Sequence, residues 1–342
     1  MSGDRGPVLV AGAGGFIGGH LVARLLAEGS SVRAVDLKPF EDWYQVHETA
    51  ESHVADLSVA SNCDTATEGI SDVYNLASDM GGMGFIENNK ALCMLSVLIN
   101  THLMKSAHER GCERYFYASS ACIYPDYRQT DPDNPGLKEA DAYPAMPEDG
   151  YGWEKLFGER LCRHFREDFG FPTWTLRYHN VYGPHGTWAG GREKAPAAIC
   201  RKVAEAVIAG TGTIPIWGDG KQSRSFMYVD DCVEGTRRMV ESEVFEPLNL
   251  GSDEMVTIDE LVSIVEDIAG VELERVYDTT APQGVRGRNS DNDLIKEKLG
   301  WAPSVGLRDG LEQTYRWVLE QVEMGGAGEP NIQGNEAAAQ RR

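Results

Sequence analysis

A short apolar run, Val8-Leu9-Val10-Ala11, passes directly into Gly12-Ala13-Gly14-Gly15-Phe16-Ile17-Gly18, and this junction constrains the fold more than any other feature of the chain. Glycines at this spacing let a strand turn sharply into a helix and let its backbone approach a bound anion. The first N–H groups of such a helix have no partner within it, and the helix dipole adds partial positive charge there. A pyrophosphate is the ligand that suits this turn. The next apolar run, residues 31–35, closes on Asp36. A carboxylate at that point can bind both hydroxyls of an adenosine ribose and repels a 2′-phosphate, so the expected cofactor is NAD and not NADP. Gly12, Gly15, Phe16, Ile17, Gly18 and Asp36 are its expected contacts.

Apolar β-rich runs and helical patterns keep alternating through the first half. Residues 73–76, 115–118 and 173–177 read as further strands, and residues 89–110 and 151–169 as long helices. Alternation of this kind predicts an α/β protein with a Rossmann-type, doubly wound parallel sheet. After Asn180 the rhythm loosens into loops rich in Gly and Pro. Residues 1–180, with about 226–250 returning, are therefore expected to form the cofactor-binding domain. Residues 181–225 and 251–322 are expected to form a smaller C-terminal substrate-binding domain. The segment 325–342 carries no periodic apolar residues and reads as a disordered tail.

The 342 residues carry a formal charge of −21. That balance argues against a nucleic-acid partner, which needs clustered Lys and Arg. No apolar run reaches membrane-spanning length, and the N-terminus lacks the layout of a signal peptide. Seven cysteines are scattered, with no Cys-x-x-Cys pair. Reduced thiols in a cytoplasmic protein without a metal site are the expectation.

Tyr151-Gly152-Trp153-Glu154-Lys155 opens one of the long helices. Positions i and i+4 share a helix face, so Tyr151 and Lys155 can point into one site. A free phenol is a poor base at neutral pH, and a nearby ammonium or a cationic cofactor ring favours its ionised form. Lys155 can also reach the cofactor's ribose. Ser120 ends a strand, where doubly wound sheets place ligand-binding groups, and can hydrogen-bond a reacting hydroxyl.

With the glycine turn, this Ser-Tyr-Lys set resembles the extended short-chain dehydrogenase/reductase family, which holds sugar-nucleotide epimerases and dehydratases. The strings Asn180-Val181-Tyr182-Gly183-Pro184, Gly218-Asp219-Gly220-Lys221-Gln222-Ser223-Arg224-Ser225-Phe226 and Asn249-Leu250-Gly251-Ser252 extend the likeness, which covers roughly residues 8–322. Ala11 departs from the Thr usual before the first glycine. Four more segments resemble the GDP-mannose 3,5-epimerase branch: Asp79 to Phe85, Ser119 to Pro125, Gly186 to Pro196 and Gly284 to Asn292. The resemblance implies a GDP-sugar substrate, Cys122 and Lys194 as an acid/base pair, and Tyr151 as the base of the redox step. It further implies Asn180 and Arg288 at the diphosphate, with Arg286 as a substitute. Gly81, Gly82 and Gly84 are expected along the hexose, Glu193 at a sugar hydroxyl, and Asp56 near the adenine. A homodimer built on the two long helices is expected as well, with Leu92, Leu95, Leu98, Leu103 and Leu161 as its apolar residues.

The chemistry is coherent without the likeness. A sugar C–H is too weak an acid for a protein base, whereas a ketone at C4 acidifies both C3 and C5. Inversion then needs a base on one face and an acid on the other. Cys122 follows Ser120 by two residues, and Lys194 precedes Pro196, a residue tolerated in a helix's first turn. Three other readings stay open. A 4,6-dehydratase would carry an Asp-Glu pair where this chain has Ala121-Cys122. A simple C4 epimerase needs no Cys/Lys pair. A non-catalytic NAD-binding regulator needs no intact Ser120, Tyr151 and Lys155.

Overall fold

The computed structural model describes residues 6–133, 135–281 and 284–325. The expected tail, from residue 326 on, lies outside the described residues. In the first half β1 (Val8–Ala11), α1 (Phe16–Ala27), β2 (Val32–Asp36), β3 (Glu51–Val54), α2 (Ala60–Ala66) and β4 (Asp72–Asn75) follow one another. Next come α3 (Met83–Asn88), α4 (Lys90–Glu109), β5 (Arg114–Ser120), α5 (Tyr151–Phe169) and β6 (Thr173–Tyr178). The second half holds β7 (Val181–Tyr182), α6 (Ala195–Ala209), β8 (Thr213–Trp217), β9 (Ser223–Ser225), β10 (Met227–Tyr228), α7 (Val229–Glu241) and β11 (Leu248–Leu250). It ends with β12 (Met255–Thr257), α8 (Ile258–Ala269), β13 (Glu274–Asp278), β14 (Gly287–Arg288), α9 (Asp293–Leu299) and α10 (Leu307–Glu323).

Among the described residues, a seven-stranded sheet runs in the order β11-β6-β5-β4-β1-β2-β3, with every neighbouring pair parallel. Chain direction across the sheet reverses between β1 and β4. At that switch the crossovers diverge to opposite faces and leave a crevice beyond the carboxyl ends of the strands.

Side-chain alternation along the strands feeds two cores. Val8 and Val10 point into one cluster with Phe116 and Leu176, while Leu9 and Ala11 point into another with Val73, Tyr115 and Tyr117. A period of two explains this division, and burial on both faces explains why β1 is wholly apolar. The first cluster continues into α6, α7, α8 and α10 through residues such as Val203, Cys232, Leu261 and Leu311. The C-terminal elements thus share a core with the sheet.

Helix ends follow local chemistry. Pro196 stands in the first turn of α6, and Lys194 is its N-cap. Thr257 and Glu260 form a capping box at α8. Of the leucines expected on a dimer face, Leu103 is fully buried in the sheet core and Leu161 packs against it. Met94, Leu95 and Leu98 of α4, and Trp153, Phe157 and Phe169 of α5, are exposed large apolar residues there. No helix among the described residues is long and apolar enough to cross a membrane.

Candidate active site

The glycine turn lies at the switch point itself. Gly12 has a φ of +83°, and a Cβ there would meet the backbone of Leu76 and Ala77 just after β4 at 2.9 Å. A Cβ on Gly18 would strike the Gly12 carbonyl oxygen. Gly15 caps α1 without a side-chain hydrogen bond, so the helix's first N–H groups face the crevice. Backbone and helix end together make a cradle that only glycine permits, and a dinucleotide's pyrophosphate fits it. Asp36 ends β2, its Oδ1 accepting the Lys38 N–H at 3.0 Å. Asp56 follows β3 and accepts the Ser58 N–H at 2.9 Å. Phe16 and Ile17, in the first turn of α1, are half-buried and pack against the first core cluster.

Tyr151 opens α5 and is buried in a cluster with Cys122, Cys93 and Ile86, flanked by Met80 and Phe85. Burial holds its phenol well above the ordinary range, with Cys122 and Glu154 adding to the effect and a hydrogen bond to Ser120 opposing it. The Ser120 hydroxyl also accepts the Cys122 N–H at 3.2 Å, which fixes the turn that leaves β5. A Cβ on Gly152 would strike the Cys122 carbonyl, so α5 can lie directly against this turn. The Lys155 ammonium sits 5.3 Å from the centre of the Tyr151 ring. Helical spacing therefore delivers the Tyr-Lys pair, and the end of β5 delivers Ser120 and Cys122 to the same place.

Lys194 lies within electrostatic reach of Cys122, Arg288 and Cys232, and burial lowers its pKa. No hydrogen bond or ion pair engages its ammonium among the described residues. Arg288 donates to Gln129 Oε1 at 2.5 Å and contacts Cys122 Sγ at 3.6 Å. The expected diphosphate arginine thus also touches the expected acid/base thiol. The other six cysteines are buried too, and burial pushes their thiols up, Cys93 and Cys112 to about 11 and Cys63 and Cys162 to about 12.

A third arginine, Arg224, joins Arg288 and Arg286. Pairing of β14 with β9 sets Arg288 beside Arg224, a half-buried residue that donates to the Ser223 carbonyl at 2.7 Å. Burial, then the neighbouring Arg288 and Arg286, lower the Arg224 pKa. An anion between these cations relieves their repulsion. Arg286 pairs with Asp219 at 3.3 Å, and the Asn180 amide donates to the Ser225 carbonyl at 3.0 Å. Arg224 lies within the Gly218 to Phe226 string, yet the strand pairing that aims it is invisible in sequence.

Gly82 donates its N–H to the Arg192 carbonyl at 3.0 Å, and a Cβ there would lie 2.8 Å from the Glu193 carbonyl. A Cβ on Gly81 would crowd Phe85 at 2.9 Å, whereas one on Gly84 would meet open space. Gly82 thus docks the start of α3 on the loop that carries Lys194. Glu193 Oε2 accepts the Gly191 N–H at 2.6 Å, and Oε1 meets Arg201 at 3.2 Å. Any sugar hydroxyl at Glu193 has to share these contacts. His179 is fully buried, bonded to Asn249 Oδ1 at 3.0 Å, and burial lowers its pKa to about 3. It is a core residue, not a base.

Similar proteins bear on this geometry. GDP-mannose 3,5-epimerase 1 of Oryza sativa subsp. japonica is 49% identical over 317 residues, covering 92% of this chain and 82% of its own. GDP-mannose 3,5-epimerase of Arabidopsis thaliana is also 49% identical over 317 residues, covering 92% and 83%. A solved UDP-glucose 4-epimerase of Thermotoga maritima superposes with a TM-score of 0.82 at 24% identity, covering 92% of this chain and 99% of that one. That likeness confirms the Rossmann-like fold. Residues 8–251 match the NAD dependent epimerase/dehydratase family, and the chain belongs to it.

Proposed function

We propose that this chain is a GDP-mannose 3,5-epimerase, converting GDP-D-mannose to GDP-L-galactose, with GDP-L-gulose as the product of inversion at one centre. The observation that carries this reading is Lys194, without a hydrogen-bond or ion-pair partner among the described residues and within electrostatic reach of the Cys122 thiol that packs with Tyr151. The two relatives at 49% identity support the substrate. When bound, NAD supplies reversible hydride exchange with the sugar C4.

The chain's own groups do the rest. The 12–18 turn and the start of α1 hold the pyrophosphate, Asp36 the ribose hydroxyls, and Asp56 the adenine end. Tyr151 takes the proton of the C4 hydroxyl as that carbon becomes a ketone, with Ser120 holding the oxygen in place. Cys122 and Lys194 then move protons at C3 and C5, one removing and the other delivering. Tyr151 returns its proton to the C4 oxygen at the end, so the cofactor leaves each cycle unchanged. Arg288, Arg224 and Arg286, with Asn180, bind the diphosphate, since planar guanidiniums match its oxygens. The 79–85 segment and Glu193 border the hexose.

Residues 1–180 with about 226–250 form the cofactor-binding domain, whose crevice also lends Ser120, Cys122, Asn180 and the 79–85 segment to the substrate, and residues 181–225 with 251–322 form the smaller substrate-binding domain. The exposed Leu95, Leu98, Trp153 and Phe157 on α4 and α5 suit a homodimer. A monomer mass at micromolar concentration refutes that assembly. The activity is tested by offering NAD-loaded protein GDP-D-mannose and UDP-glucose separately and resolving the products. Epimers of the GDP-sugar alone are expected. Turnover of UDP-glucose with GDP-D-mannose untouched overturns the reading.

A further inference from the structure

Glu154 is left unused by the proposed chemistry, and its surroundings are unusual for a carboxylate. It lies on α5 between Trp153 and Lys155 and is 3% exposed. Its Oε1 accepts a hydrogen bond from the Tyr117 hydroxyl at 2.9 Å. Its Oε2 accepts none among the described residues, and the Lys155 ammonium lies 3.4 Å from it. That ammonium is 4.8 Å from the centre of the Tyr117 ring and 5.3 Å from that of Tyr151. A buried carboxylate with an unbonded oxygen is costly to keep.

Two opposite charges therefore stand side by side next to Tyr151. An ammonium favours a phenolate and a carboxylate disfavours it, so at the phenol the two offset each other. The other titratable groups around this corner are Tyr115 and Tyr117 of β5, Cys122 after it, Cys93 of α4 and Cys162 of α5, with Asp79, Glu148 and Arg192 acting on Cys93 and Lys194 and Arg288 on Cys122. The cations in this set, Lys194, Arg288 and Arg192, act on Cys122 and Cys93, whereas the Lys155 ammonium lies over the Tyr151 ring itself. We propose that Glu154 is a positioning residue: it tethers the Lys155 ammonium and offsets its charge, so that Tyr151 stays a phenol until another positive charge enters the site.

This deepens the role given to Tyr151 above and rests on that reading. A tyrosine that must take a proton and later return it gains from such an offset. Its proton then follows the charge of the bound cofactor's ring, positive only in the oxidised form. While the ring is neutral, Tyr151 keeps the proton that the sugar oxygen has to receive back.

The test is an ultraviolet titration of tyrosinate in NAD-loaded protein without substrate, with the Tyr151 signal isolated by subtracting the Tyr151→Phe spectrum. Glu154→Gln is expected to lower the Tyr151 midpoint by about one pH unit or more, a tenfold change in proton affinity. The acidic limb of the kcat–pH profile is expected to move down with it. Glu154→Asp, which keeps a carboxylate, holds the midpoint near that of the parent. A folded, NAD-loaded Gln variant titrating at or above the parent midpoint overturns the proposal. Should that variant not fold, Lys155→Met is read in the same way. It leaves Glu154 unopposed and is expected to raise the midpoint by a similar amount, and an unchanged midpoint overturns the proposal equally. Because no sugar is present, the titration stands or falls separately from the substrate assignment.

Discussion

Replacing Glu159 with Gln strands a buried charge directly beneath the site. Glu159 of α5 and Arg177 of β6 meet through two parallel contacts at 3.0 and 2.9 Å. Glu159 also accepts the Ser119 hydroxyl at 2.6 Å, and Arg177 donates to the Tyr124 hydroxyl at 3.0 Å and the Glu139 carbonyl at 2.9 Å. Both side chains are 4% exposed. Burial opposes the charge on Arg177, but Glu159 and then Tyr124 outweigh it and raise its pKa. Gln keeps the shape and one acceptor but leaves the guanidinium uncompensated. Removing one partner of a buried pair costs about 3–5 kcal/mol. At about 2.1 cal/mol/K per residue, the 342-residue chain has an unfolding entropy of roughly 0.7 kcal/mol/K, so the melting midpoint falls by about 4–7 °C. Guanidinium and thermal unfolding of NAD-loaded protein measure both quantities. The double variant Glu159→Met/Arg177→Met strands no charge and should recover most of the loss. A Gln variant within about 1 kcal/mol of the parent, or a double variant less stable than the single, refutes the reasoning.

Other consequences follow from the same geometry. Gly18→Ala puts a methyl onto the Gly12 carbonyl oxygen. NAD affinity measured by calorimetry should fall by roughly tenfold or more, with the far-ultraviolet circular dichroism unchanged. His179 has its folded pKa lowered to about 3, below the ordinary 6.5. Its contribution to stability is therefore complete above pH 6.5 and is lost as the pH falls towards 3. In His179→Gln the slope of unfolding free energy against pH in that window should be shallower by about one proton. Burial lowers the Lys194 pKa, so the falling alkaline limb of kcat should lie below the range of a solvated lysine. Lys194→Arg, which does not titrate there, should remove that limb from any activity that remains.

The elements assigned to the cofactor and to Tyr151 were legible because their signals are local. The turn after β1 shows its glycines in sequence, and α5 runs from Tyr151 to Phe169 as its periodicity implied. Strand β3 was missed because it lies at the sheet edge, where Glu51, His53 and Val54 need no apolar pattern. Helix α2 was missed because its seven residues, Ala-Ser-Asn-Cys-Asp-Thr-Ala, include weak helix formers and bury only Cys63 and Ala66. Arg224 escaped notice for a different reason. Its alignment with Arg288 depends on a two-residue strand some sixty positions away, and no local pattern encodes such a pairing. Glu154 sat within the Tyr-Lys motif, but only burial distinguishes it from an ordinary surface glutamate.

Proton exchange at the sugar ring bears most directly on the inversion chemistry proposed for Cys122 and Lys194. NAD-loaded protein is incubated with GDP-D-mannose in deuterated water and followed by proton NMR. Deuterium should enter at C3 and C5 as GDP-L-galactose and GDP-L-gulose appear, and Cys122→Ala should keep NAD bound yet lose the exchange. Folded, NAD-loaded parent protein that incorporates no deuterium, or a Cys122→Ala variant that exchanges as fast as the parent, contradicts that chemistry.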